Sequence, residues 1–174
     1  MTNHPYDIGQ KELVEVYLPI IRTFGGVYQK IAGVHARIAK GGEKITTITS
    51  DGRETSNTAS EGDMIVTNQT ESREEYVLKP EQFFKRYEHA QDDFYVPGEG
   101  ACIKALQVTE ENIKLYRLDG LKSLVTTPED SLYIEAPWKE SERLRLNDYL
   151  VCNLEETEVY RIALKEFEET YKPI

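Results

Sequence analysis

Apolar residues recur at helical spacing over residues 8–24, where Leu13, Tyr17, Ile20, Ile21 and Phe24 follow one another at steps of four, three, one and three. The spacing predicts an amphipathic helix that Pro19 limits or kinks, because proline has no N–H to donate and its ring crowds the preceding turn. Gly25-Gly26 ends the pattern, and the period then falls to two. Residues 34–39 alternate apolar and polar in the manner of a half-buried strand. After Gly41-Gly42, residues 45–49 are β-branched throughout and run into Asp51-Gly52, a dipeptide suited to a tight hairpin because both residues accept positive φ. A polar strand should leave from Glu54-Thr55. Gly62 precedes residues 63–68, whose Met64, Ile65 and Val66 are apolar on both faces and predict a central strand. Residues 74–78 form the next strand. Pro80 then opens a short helix, at a position where its missing N–H costs nothing, with Phe83 and Tyr87 on one face.

Residues 91–100, with Asp92, Asp93, Pro97, Gly98 and Gly100, have the composition of a linker. Beyond them the pattern predicts a strand at 101–108, a short helix at 109–116 capped by Thr109, strands at 132–134, within 144–152 and at 158–162, and a helix near 164–171. This second series repeats the first. Setting Asp63 on Asp148 matches Val66 with Val151 and Asn68 with Asn153, and one deletion then matches Glu74, Tyr76, Phe83 and Tyr87 with Glu158, Tyr160, Phe167 and Tyr171. Gly62 aligns with Asn147, the two residue types that tolerate a left-handed backbone best, so one turn geometry can start both strands. The expected architecture is α+β and strand-dominated, with two similar halves related by a pseudo-two-fold axis and each closed by a short helix. The expected organisation is an N-terminal helical segment at 1–33, a first module at 34–90, the linker at 91–100 and a second module at 101–174.

Gly62 to Thr67, Glu75 to Phe83 and Arg86-Tyr87-Glu88 resemble the uncharacterised bacterial, fungal and phage domain named for a Pro-Gly-Asp-Tyr-Gly motif. Lys104 to Thr109, Asn147 to Val151 and Glu168 to Tyr171 resemble its small phage versions. The likeness spans about residues 34–88 and 101–174, and so implies two tandem copies. Glu61 and Arg145-Leu146-Asn147 stand where the motif has Pro or Gly. The resemblance implies a fold unit and no chemistry.

Composition narrows the function. The net charge of −10 is spread evenly, with 16 acids against 11 bases in residues 1–101 and 15 against 10 in residues 102–174. That balance opposes a phosphate backbone and makes nucleic acid an unlikely partner. Cys102 and Cys152 are too few for a disulfide framework, and each lies in a strand pattern where reduced cysteine is a small apolar filler. The N-terminus lacks a signal-peptide pattern and no run is long enough for a membrane span, so a cytoplasmic protein is expected. His4, His35 and His89 lie far apart and neither cysteine has a near ligand, so no metal is expected. A nucleophile elbow and a phosphate loop are absent as well, and no cofactor is expected.

What differs between the copies is where a site is sought. The first has the polar run Asp51 to Thr58, and the second has Pro137 to Glu142 in its place. Asp51, Glu54, Asn57 and Asp63, with His35 and Arg37 on a neighbouring strand, are the candidate ligand-binding set, and Trp138 is a candidate edge of a pocket or contact surface. Turn chemistry alone also accounts for Asp51-Gly52, and a strand-start hydrogen bond for Asp63. The leading reading is a binding module for a small molecule or protein, at a groove or at this hairpin. Two alternatives are an enzyme that uses Asp63 or Glu54 for acid–base chemistry and a passive assembly or regulatory protein.

Overall fold

Pro19 does not end the first helix. The helical run has three parts, α1 (Gln10–Glu12), a π-helical segment (Leu13–Tyr17) and α2 (Leu18–Phe24). Leu18 donates its N–H to Leu13 O, five residues back, and this wider turn accommodates a proline that cannot join the ladder. The run stops at Gly25, where a Cβ would lie 2.5 Å from Ile21 O and 2.6 Å from Ala105 O. Only glycine permits that approach. These contacts belong to a computed structural model that describes residues 6–49, 52–115 and 132–174.

The described residues form fourteen strands, β1 (Gly26–Lys30), β2 (Val34–Ile38), β3 (Glu43–Thr49), β4 (Gly52–Ala59), β5 (Met64–Asn68), β6 (Glu75–Leu78), β7 (Tyr87–Gln91), β8 (Phe94–Pro97), β9 (Cys102–Gln107), β10 (Leu132–Glu135), β11 (Ser141–Leu144), β12 (Tyr149–Asn153), β13 (Val159–Ile162) and β14 (Tyr171–Pro173), and β1, β7, β8, β11 and β14 lie where the pattern predicted no strand. Two more helices, α3 (Pro80–Arg86) and α4 (Leu164–Thr170), follow β6 and β13. The fold is α+β, with two five-stranded sheets of order β6-β5-β2-β8-β7 and β13-β12-β9-β1-β14 and two separate hairpins, β3-β4 and β10-β11. No helix among the described residues is long and apolar enough to cross a membrane.

The two sheets correspond strand for strand, consistent with a pseudo-two-fold repeat, and their hydrogen bonds match. Met64 pairs with Leu78 across β5 and β6, and the aligned Tyr149 pairs with Ile162 across β12 and β13. Ala39 donates to Asp63 O and accepts from Gly62, and Val108 does the same with Asp148 and Asn147. The N–H of Gly98 donates to Arg86 O, and that of Ile31 to Thr170 O, so β1 takes in the second sheet the place that β8 takes in the first. Tyr28 is thereby the counterpart of Tyr95. Gly62 and Asn147 both have left-handed φ, +88° and +75°, as their alignment predicts.

The chain divides by contact into two compact units, residues 1–28 with 103–167 and residues 29–102 with 168–174. In the first, Leu13, Tyr17, Leu18 and Ile21 pack on Leu132, Ile134, Leu144, Leu150 and Val159. The side chain of Gln10 adds bonds to Glu135 O and to both N–H and O of Val159. The N-terminal helix therefore belongs to the core of residues 103–167 and is not a segment apart. In the second unit, Val34, Ala36, Met64 and Val66 pack under Phe83 and Tyr87, and Ile45, Ala59 and Ile65 form a smaller core on the hairpin side.

Three expectations are corrected. Residues 91–100 are no linker, since β8 pairs with both β2 and β7 there, and Asp92 (φ +49°) turns the β7–β8 hairpin. Acidic and glycine-rich composition marks a hairpin turn as readily as a connector. Tyr87 and Tyr171 lie beyond the helices and open β7 and β14, although Tyr87 still stacks on Phe83 at 5.0 Å. Residues 110–115 form turns where a helix was expected, with Thr109 Oγ1 accepting from the N–H of Asn112, and Tyr116 lies outside the described residues.

The shared left-handed turn gives a direct test. Nothing lies within 4 Å of a Cβ placed at Gly62, so only backbone conformation opposes a side chain there. Gly62→Asn is expected to cost well under ~1 kcal/mol and Gly62→Val at least ~1 kcal/mol more, measured by urea unfolding. Equal costs would contradict the shared geometry.

Candidate functional site

His35 and Arg37 are two apart on β2 and therefore project from one face, which is the face that carries the β3–β4 hairpin. Each has its own carboxylate. His35 Nδ1 lies 2.9 Å from Asp93 Oδ1, and Arg37 Nη1 donates to Glu43 Oε1 at 2.7 Å. The N–H of Lys40 and then the Arg37 guanidinium hold the Glu43 carboxyl below its ordinary value. Asn57 accepts from the N–H of Thr58 and pairs across the hairpin with Ile45. Asp51 lies outside the described residues, and for Glu54 the structure describes only its backbone on β4. Trp138 is half-buried in the turn between β10 and β11, in the other compact unit.

Asp63 is buried at the start of β5. Its Oδ2 accepts from the N–H of Ser60 at 2.9 Å and its Oδ1 from Lys79 Nζ at 2.8 Å. The Lys79 hydrogen bond is the main cause that lowers its pKa. Asp148 repeats the arrangement, with Oδ2 accepting from the N–H of Arg145 at 2.7 Å and from Arg161 Nη1 at 2.6 Å. The repetition places this carboxylate in the scaffold of both modules.

A shallow groove of about 400 Å³ opens on the other face of β2, beside α3. Val34 and Ala36 are buried on this face. Ile38 continues their row past the helix and is 68% exposed. Its cross-strand neighbour Met64 and Tyr95 of β8 line the groove with it. From α3 come Pro80 and Phe84, the latter 60% exposed and edge-on to Phe83 at 5.1 Å. The charged lining residues are Arg37, Asp92 and Asp93. Arg37 and Asp93 lie at the edge of this groove, while their side chains bond Glu43 and His35 on the hairpin face.

Of the buried polar groups that the sequence pattern does not reveal, two stand out. Lys30 Nζ is buried and donates to Asn68 Oδ1 (2.8 Å), Tyr76 Oη (2.9 Å) and Tyr87 Oη (2.5 Å), which uses the three donors of an ammonium. Asn68 in turn donates to Glu74, and burial pushes the Tyr76 phenol well above its ordinary value. Glu142 on β11 is the second. Burial, aided by the charge of Asp148, raises its carboxyl to about 8 against a bond from the Arg161 N–H, and its Oε1 has no partner among the described residues. Glu142 occupies the position aligned with Asn57, within the stretch where the two copies differ; that mismatch was the only signal for it. The thiols of Cys102 and Cys152 are both raised by burial, as their strand positions implied. No group of metal-ligating side chains occurs among the described residues.

No family model, curated protein or solved structure matches the chain. The internal repeat is therefore the comparison that the chain itself provides.

Glu142 is protonated in the fold and ionised in the unfolded chain above its ordinary value of 4.5. Its contribution to stability is thus fully present below about 4.5 and is lost as pH rises towards about 8, at up to about 1.4 kcal/mol per pH unit. In urea unfolding at pH 5.5 and pH 7.5, Glu142→Gln is expected to lose much less stability than the parent. Parallel losses in the two proteins would sink this assignment.

Proposed function

We propose that the chain is a binding module that takes a protein partner in the groove between β2 and α3. The observation that carries the reading is the exposure of Ile38 and Phe84 together in one depression. Single exposed apolar side chains are ordinary, whereas two large ones sharing a concave, charge-rimmed surface are characteristic of contact sites. A protein fits this groove better than a metabolite does. Small-molecule sites aim several polar groups inward, while Arg37, Asp92 and Asp93 are all solvent-exposed. The net charge of −10 argues against nucleic acid, and two unpaired cysteines with raised thiol pKa values suit a cytoplasmic setting.

The test is photocrosslinking in cells with benzoylphenylalanine at position 84 or, as a control, at position 31, where Ile31 is also exposed. A discrete adduct is expected from position 84 alone, and Ile38→Asp should abolish it. An absent adduct, equal adducts from both positions, or indifference to Ile38→Asp would each overturn the proposal.

A further inference from the structure

We infer that the groove receives an aromatic side chain of the partner, flanked in its sequence by lysine or arginine; this rests on the binding reading above and adds the partner's chemistry. The second module provides the template. There Tyr149 stands where the first module has Met64, and its ring lies flat on Phe167, the counterpart of Phe83, at 3.6 Å between centroids and 8° between planes. The neighbouring aromatic pair is the same in both modules. Tyr28 meets Phe167 edge-on at 4.9 Å and 76°, and Tyr95 meets Phe83 at 4.9 Å and 80°.

The mouths of the two positions differ in a matching way. Ile38 and Phe84 are replaced by Gln107 and Glu168, and Gln107 Nε2 donates to Asn147 O at 3.1 Å. The module that carries its own ring thus has polar residues at the two aligned positions. The module without the ring has two exposed apolar side chains around a flexible methionine, a residue that adapts to aromatic faces. A ring entering from outside lies between the exposed Ile38 and Phe84, above Met64, which is itself buried and fills the place that Tyr149 takes in the second module. Charge selects the flanking residues. Of the three charged lining residues, Asp93 is bonded to His35 and Arg37 to Glu43, and the third, Asp92, is a carboxylate, so a cation beside the ring is favoured.

The test titrates the full chain, with methyl-labelled isoleucine and methionine, with three acetylated, amidated tripeptides: Lys-Trp-Lys, Glu-Trp-Glu and Lys-Leu-Lys. Lys-Trp-Lys is expected to move the Ile38 and Met64 methyl resonances by ring current, Glu-Trp-Glu to bind about tenfold more weakly, and Lys-Leu-Lys to leave them in place. Met64→Tyr, which restores the internal ring, and Ile38→Gln should each weaken Lys-Trp-Lys by about tenfold or more. Equal binding of Lys-Leu-Lys, or full binding by a folded Met64→Tyr protein, overturns the aromatic occupant and leaves the groove reading intact. No binding of any peptide, alongside a position-84 adduct, likewise overturns this inference alone. If the adduct is also absent, both fall.

Discussion

Each sheet depends on one carboxylate that fixes how its second core strand begins. Asp63 and Asp148 accept the N–H of the residue three places earlier, and this closes a turn whose middle carries a left-handed residue, Gly62 or Asn147. The turn carries the bonds from the strand start to Ala39 or Val108, which set the register against β2 or β9. A one-residue slip there would turn every side chain of β5 or β12 to the opposite face. The cation on each carboxylate, Lys79 or Arg161, neutralises a charge that would be costly to bury alone.

The sequence made this frame legible because the residues that build it are chemically special. Aspartate before an apolar run, Gly or Asn ahead of it, and Phe at matched helix positions leave few alternatives, and the aligned residues hold equivalent places in the two sheets. The strands that escaped notice are of another kind. Residues 26–30 begin on the second of two glycines and show no alternation of burial, and β7 is exposed along all but its first residue. Such strands are specified by their neighbours in the sheet, which a periodicity argument does not see. The same holds for the N-terminal helix: its own face is legible, while its place in the core of residues 103–167 depends on contacts more than 100 residues away in sequence.

The polar residues were harder to read because residue type does not reveal burial. Lys30 and Glu142 look like surface charges in sequence, yet one ties two tyrosines and an asparagine together and the other is an acid held neutral by its surroundings. Conversely, His35 and Arg37, expected from the sequence as candidate ligand-binding residues, each bond a separate carboxylate. Lys30 also shows how a long-range strand is made specific. Its three partners come from β5, β6 and β7, so the end of β1 is fixed by groups whose hydrogen bonds nothing else in its place would satisfy.

Duplication bears on function through the positions where the copies part. Two copies under the same folding constraints should keep the same packing, and at Asp63/Asp148, Phe83/Phe167 and Tyr95/Tyr28 they do. Folding alone gives no reason for the first copy to exchange a stacked ring for methionine while placing isoleucine and phenylalanine in solvent. Those changes expose apolar surface, which disfavours the isolated chain. They become favourable when something covers that surface. The divergence at Met64, Ile38 and Phe84 therefore lies at the groove, whereas the polar hairpin meets β2 through the ion pair of its Glu43 with Arg37.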